Sequence, residues 1–111
     1  ENPSFHNFFT GNCGVLFPVW LLDKVIFRKD FFMKIAPTAD DVWLNFIAWK
    51  SKIKIVMTKG MLGYMLPVHS SSDTGLYLKN TVRKTENCEC ENDFQIRNVV
   101  EYLGLDVHEY I

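Results

Sequence analysis

The sequence predicts an α+β domain with more helix than strand, and three stretches carry that prediction. DVWLNFIAWKSK, starting at Asp41, sets Val42, Phe46 and Trp49 on one side of a helix, with Trp43 and Ile47 broadening the stripe. NDFQIRNVVEYLGL, starting at Asn92, does the same with Ile96, Val99, Val100 and Leu103, and Gly104 supplies the stop. IKIVM, residues 53 to 57, is a compact β-branched run that reads as a strand.

Taken in order, the chain opens with loop and then a short strand at VLF, with Pro3, Gly11 and Gly14 as punctuation. Gly11 and Gly14 flank Asn12 and Cys13. That pattern suits a tight turn into the strand, or backbone passing close to another segment or a ligand. Pro18 is placed to open a short helix, with Leu21, Leu22, Val25 and Ile26 on one face. Asp30 is the predicted N-cap of a second short helix, FFMKI, which must stop before Pro37. In PTADDVW, Thr38 followed by Asp41 resembles a capping box, and acids in a first turn suit the helix dipole. Residues 58 to 91 read as a long irregular connection, broken by Gly60, Gly63, Pro67, a serine triplet and Gly75, with a short strand around Tyr64 to Leu66. Asn92 or Asp93 is the predicted cap of the last helix.

Bulk properties narrow the class. At 111 residues the chain fits one domain with one core. It is 48% apolar and 23% charged, as soluble globular proteins are. Nine Phe, three Trp and four Tyr are more rings than a core this size needs, which predicts very dense packing or an apolar face that belongs against something else. A net charge of −1 without a basic run argues against nucleic-acid binding. Cys13, Cys88 and Cys90 form neither a disulfide framework nor a zinc-type pair, as expected of reduced thiols in a cytoplasmic protein. The longest apolar run, GVLFPVWLL, is about half the ~20 residues a membrane span needs and contains a proline. No leader is visible, and Glu1 is no initiator, so the sequence is expected to be part of a longer chain.

Asp40 and Asp41 are the candidate chemistry. Capping accounts for two acids at a helix start; so does a base poised at a helix end to meet a substrate. Trp43 offers a flat apolar face suited to a sugar ring, and Gly11, Asn12 and the run His69 to Ser72 are polar enough to wall a cleft.

Four segments in order, TGNCGVLFP, FFMKIAPTADDVW, LYLKN and ENDFQIRNVVEY, resemble the C-terminal half of bacterial family 2-like glycosyltransferases of the GT-A type, often associated with capsular and surface polysaccharides. The likeness runs from about Thr10 to Tyr102; each motif alone is weak, and their shared order is fairly specific. It implies the acceptor-side part of a GT-A fold, with residues 1–111 a fragment lacking the nucleotide-binding N-terminal half. It also implies transfer of a sugar from a nucleotide-sugar donor to a saccharide acceptor. Asp41 is then the base and Asp40 orients the acceptor, while Gly11, Asn12, Gly14 and Trp43 contact substrate. His69 is implied as a ligand of a divalent cation, Mn²⁺ or Mg²⁺. The location implied is the cytoplasm or the inner membrane face. The chain departs from the pattern where Cys13 precedes Gly14 in place of a glycine, where Phe17 stands for a tyrosine and Val19 for a frequent proline, and in having no D-x-D motif. The isolated fragment is expected to be inactive and to self-associate through the face left by the missing half.

A second class remains open: a non-catalytic module that binds a protein or a glycan with exposed aromatic residues. A metal-dependent hydrolase, resting on His69 and the acids alone, ranks third.

Overall fold

A computed structural model describes residues 2–11, 14–21, 24–58, 75–82 and 89–109. Among these the chain is all-helical, which overturns the α+β expectation and with it the acceptor-side GT-A architecture. Four α-helices carry the fold: α1 (Lys29–Ile35), α2 (Asp40–Lys50), α3 (Leu76–Thr81) and α4 (Glu91–Leu103). Single 3-10 turns at Val19–Leu21, Lys24–Phe27 and Val107–Glu109 complete the described elements.

Among the described residues the predicted strands find too few partners to form a sheet. IKIVM contributes one residue to pairing, an antiparallel bridge between Ile55 and Ser4 with N···O distances of 2.9 and 3.0 Å. The Ile55 carbonyl also accepts from the Asn7 side chain at 2.8 Å. VLF keeps the alternation of a strand, with Leu16 94% exposed between half-buried Val15 and Phe17, yet it joins no sheet among the described residues. The predicted strand at 64 to 66 lies outside the described residues.

The helix starts also differ from expectation. Arg28, not Asp30, occupies the N-cap of α1; Asp30 lies in its first turn and pairs with Arg28 at 3.2 Å. A hydrogen bond from that guanidinium holds the Asp30 carboxyl below its usual range. Both groups are well exposed, so the pair adds little stability. Cys90, rather than Asn92 or Asp93, caps α4, and the Asp93 carboxylate accepts from the Cys90 N–H at 2.7 Å, the acidic arm of a capping box. Gly104 stops α4 as the sequence predicts, in the left-handed region at φ 63°, with the Leu105 N–H on the Val100 carbonyl at 3.1 Å. α2 ends in the same way, with Lys52 taking the left-handed position at φ 57°.

α4 is the spine, packing against α1, α2 and α3. The core joins Val42, Trp43, Phe46 and Ile47 of α2 to Val99 and Leu103 of α4. Ala36 and Ala39 close it at the corner between α1 and α2, where small side chains let the two helices turn tightly. The stripes read from α2 and α4 are therefore the faces that meet.

Gly104→Ala is expected to lower stability by about 1 kcal/mol, read as a shift in urea midpoint. Open space surrounds the site of the added methyl, so the cost is backbone strain rather than a clash. An unchanged midpoint would show that the left-handed stop is not under selection by sterics.

Candidate functional site

The acid pair stands at the first turn of α2, and the chain that enters this turn is held by two side chains. Thr38, two residues before Asp40, is not the N-cap; Ala39 is, and it has no side chain to cap with. Thr38 instead sits between Asn80 of α3 and Gln95 of α4. Its N–H donates to Gln95 Oε1 at 3.1 Å, and its carbonyl accepts from Asn80 Nδ2 at 2.7 Å. Its hydroxyl accepts from Gln95 Nε2 at 2.9 Å and lies 2.7 Å from Asn80 Oδ1 and 3.3 Å from Gln95 Oε1. One hydroxyl proton serves one acceptor, and the shorter distance assigns it to Asn80. Both amides are buried, as is the core around them. Buried amides cost free energy unless bonded, and here backbone and hydroxyl of a single residue satisfy them.

One turn further along α2, Asn45 is fully buried at 0% exposure. Its Oδ1 accepts from the Phe9 N–H at 3.1 Å, while its Nδ2 donates to the Phe9 carbonyl at 2.9 Å and to the Asp41 carbonyl at 2.7 Å. The segment leading into Gly11 is thereby tied to the helix turn that bears Asp41. Gly14 closes a turn back on Gly11 through an N–H···O bond of 3.2 Å, and at φ 84° it takes a conformation that favours glycine.

The two acids differ in setting. Asp40 is exposed and forms no hydrogen bond or ion pair among the described residues. Asp41 is half-buried, and one carboxylate oxygen accepts from the Val42 N–H at 2.9 Å, which supplies part of the capping that Ala39 does not. Its carboxylate is thus oriented by the helix end and still reachable from solvent.

Trp43 is 2% exposed, with Nε1 on the Ile26 carbonyl at 3.3 Å and its ring beside Phe32 and Tyr102. It serves the core and presents no face to a sugar. Helical geometry turns residue 43 well away from residue 41, so one cannot be a platform beside the other while its stripe is packed. Asn12 and His69 lie outside the described residues. No group of three or more His, Cys, Asp or Glu among the described residues is placed to hold a metal ion.

An apolar groove of about 790 Å³ runs along the same side of α2, beginning one turn beyond the acids. Leu44, Ile47 and Ala48 form its floor, with Phe9, Gly14 and Leu16 among its walls; neither Asp40 nor Asp41 lines it. The glycine turn therefore borders the groove, and the acids stand outside it.

Asn45 escaped the sequence reading because an Asn inside a helical pattern looks like one more polar position, although it falls on the buried side. Asn80 and Gln95 are visible as parts of the motifs LYLKN and ENDFQ, where local capping and turn formation explain them equally well.

Gln95→Ala is expected to cost about 1–3 kcal/mol in chemical denaturation, since it leaves the Thr38 N–H without its partner. Asn98→Ala on the exposed side of the same helix, whose bond to the Ile35 carbonyl is 3.4 Å long, is expected to stay within about 0.5 kcal/mol of the parent. Equal losses would mean that the buried bonds carry no special weight.

No helix among the described residues is long and apolar enough to cross a membrane. Comparison with protein-family models, with curated proteins and with solved structures finds no match to this chain. The likeness to family 2-like glycosyltransferases accordingly rests on the four segments and their order.

Proposed function

We propose that this chain is part of a nucleotide-sugar-dependent glycosyltransferase, with Asp41 as the base and Asp40 orienting the acceptor. One observation supports it most. Thr38, Asn80 and Gln95, which belong to three separate motifs of the resemblance, meet at the entry to the acid-bearing turn. Motif residues far apart in sequence thus act on one place, and that place carries the carboxylates.

In the proposed reaction Asp41 takes the proton of an acceptor hydroxyl as its oxygen attacks the anomeric carbon of the donor. The new C–O bond forms, the anomeric C–O bond to the diphosphate breaks, and nucleoside diphosphate leaves. Asp41 suits the role through its position: its carboxylate is steered by the Val42 N–H, and its turn is held on both sides by buried bonds. Exposed Asp40 is free to accept from a second acceptor hydroxyl. Donor and diphosphate contacts fall to other parts of the natural chain, since the sequence has no D-x-D.

A binding module without chemistry is the second reading, and exposed apolar side chains favour it: Trp20 is 83% exposed and Phe27 74%. Such surface equally serves contact with further parts of the natural chain or with a second copy.

In the longest natural chain that carries this sequence, Asp41→Asn is expected to lower kcat for sugar transfer by about 10²–10⁴-fold with the unfolding midpoint unchanged. Asp40→Asn is expected to raise the acceptor KM more than it lowers kcat. Full transfer by the Asp41→Asn enzyme would remove Asp41 from the mechanism, and a wild type inert towards every nucleotide sugar would favour the binding module.

A further inference from the structure

Residues 53 to 58 have the composition and the alternation of a strand with little of its pairing. Ile53 and Ile55 are half-buried, while Lys54 and Val56 are exposed, as on a pleated backbone. Ile55 exchanges both of its backbone bonds with Ser4, at 2.9 and 3.0 Å. Neighbouring residues of a strand direct their N–H and C=O groups to opposite edges. Ile55 therefore faces Ser4, and the other edge belongs to Lys54, Val56 and Thr58. None of these three forms a backbone hydrogen bond among the described residues, and all three are exposed. Such an edge is a template for one more strand.

We propose that the edge of residues 54 to 58 is the interface of a symmetric dimer, in which it pairs antiparallel with the same edge of a second copy of this chain. The pairing stands apart from the transferase reading. A two-fold axis at Val56 joins Val56 to its counterpart and Lys54 to Thr58, each pair exchanging both N–H···O bonds. Every free group of the edge is then used, and no like charges stand opposite one another. An axis at Lys54 sets two lysines face to face, which is unfavourable. An axis at Ile55 places Thr58 opposite Lys52, whose φ of 57° is no strand conformation. An axis at Met57 leaves Lys54 without a partner inside the segment. A lysine ordinarily discourages edge pairing, but the Lys54 ammonium lies over the Phe5 ring, 5.6 Å from its centroid, and Thr58 is the neighbour it meets. Apolar surface adjoins the ladder. Val56 and Met57 are about half exposed, and Leu16, 94% exposed, lines the same groove. Specific dimers cover about 800 Å² per partner, and exposed Val19 and Trp20, just beyond Pro18 of the groove wall, add to the area on offer.

The test is cysteine crosslinking and sedimentation of the longest natural chain that carries this sequence. In the proposed register the two Val56 Cα atoms stand about 5.5 Å apart, within disulfide reach. Lys54 and its counterpart are about 14 Å apart along the ladder, well beyond it. Val56→Cys is therefore expected to form a linked dimer at least about 10-fold faster than Lys54→Cys or Thr58→Cys alone, and mixing the last two is expected to restore linkage. All three variants carry the same native thiols, so background linkage cancels. Sedimentation is expected to show a dimer for wild type and a monomer for Val56→Pro, which lacks the N–H at the axis. Equal linkage in Val56→Cys and Lys54→Cys overturns the proposal, as does a wild type that sediments as a monomer at every concentration. A monomer whose Val56 amide is protected from hydrogen exchange also overturns it, and assigns the edge to another segment of the natural chain.

Discussion

Thr38 is gripped by two buried amides that come from different helices, and the described fold depends on that grip. Asn80 belongs to a six-residue helix, far too short to persist alone in water. Its bonds to the Thr38 carbonyl and hydroxyl, together with packing of α3 on α4, give α3 its place. Gln95 fastens α4 to the corner between α1 and α2, beside Ala36 and Ala39. Hydrophobic burial of α2 on α4 drives the association, but apolar stripes tolerate sliding. The amides do not, because each bonded pair is satisfied in a single register.

The same economy holds on the other flank of the acids. Thr38 anchors the chain before Asp40 and Asn45 anchors it after Asp41, so the two carboxylates, Asp40 exposed and Asp41 half-buried, are mounted on a turn tied on both sides. Sites that require defined geometry are usually built in this way, on secondary structure with polar support beneath. The apolar groove further along the same side of α2 is a separate feature. It adjoins the glycine turn without including the acids, and it contributes to the surplus of exposed apolar side chains that the aromatic count anticipates.

The helices with long stripes were legible in the sequence. α2 and α4 run close to the predicted ranges, and Gly104 stops α4 for the reason the sequence gives in advance. What misled was β-branched composition: Ile53, Ile55 and Val56 have the preferences of a strand, but strands need partners, and among the described residues Ser4 alone pairs with Ile55. α3 could not be read because six residues show too little periodicity, and its support comes from Thr38, 42 positions away. Thr38 and Asp41 have the spacing of a capping box, yet tertiary partners claim the Thr38 hydroxyl first. Trp43 has the chemistry of a ring beside an acid, but its place in the apolar stripe fixes it in the core. Asn45 gave no local signal at all; its identity is explained only by the backbone of Phe9, which no pattern along the sequence brings near.

The coupling of Asn80 and Gln95 through Thr38 is the claim on which the rest stands, and a double-mutant cycle measures it directly. Denaturant unfolding of the parent, Asn80→Ala, Gln95→Ala and the double variant gives the interaction free energy between two residues that act through one threonine. The account predicts non-additivity of about 1 kcal/mol or more, since the first truncation already loosens the residue that the second amide holds. Losses that add to within about 0.3 kcal/mol would mean two independent bonds, and the three-helix grip on the acid-bearing turn would have to be abandoned.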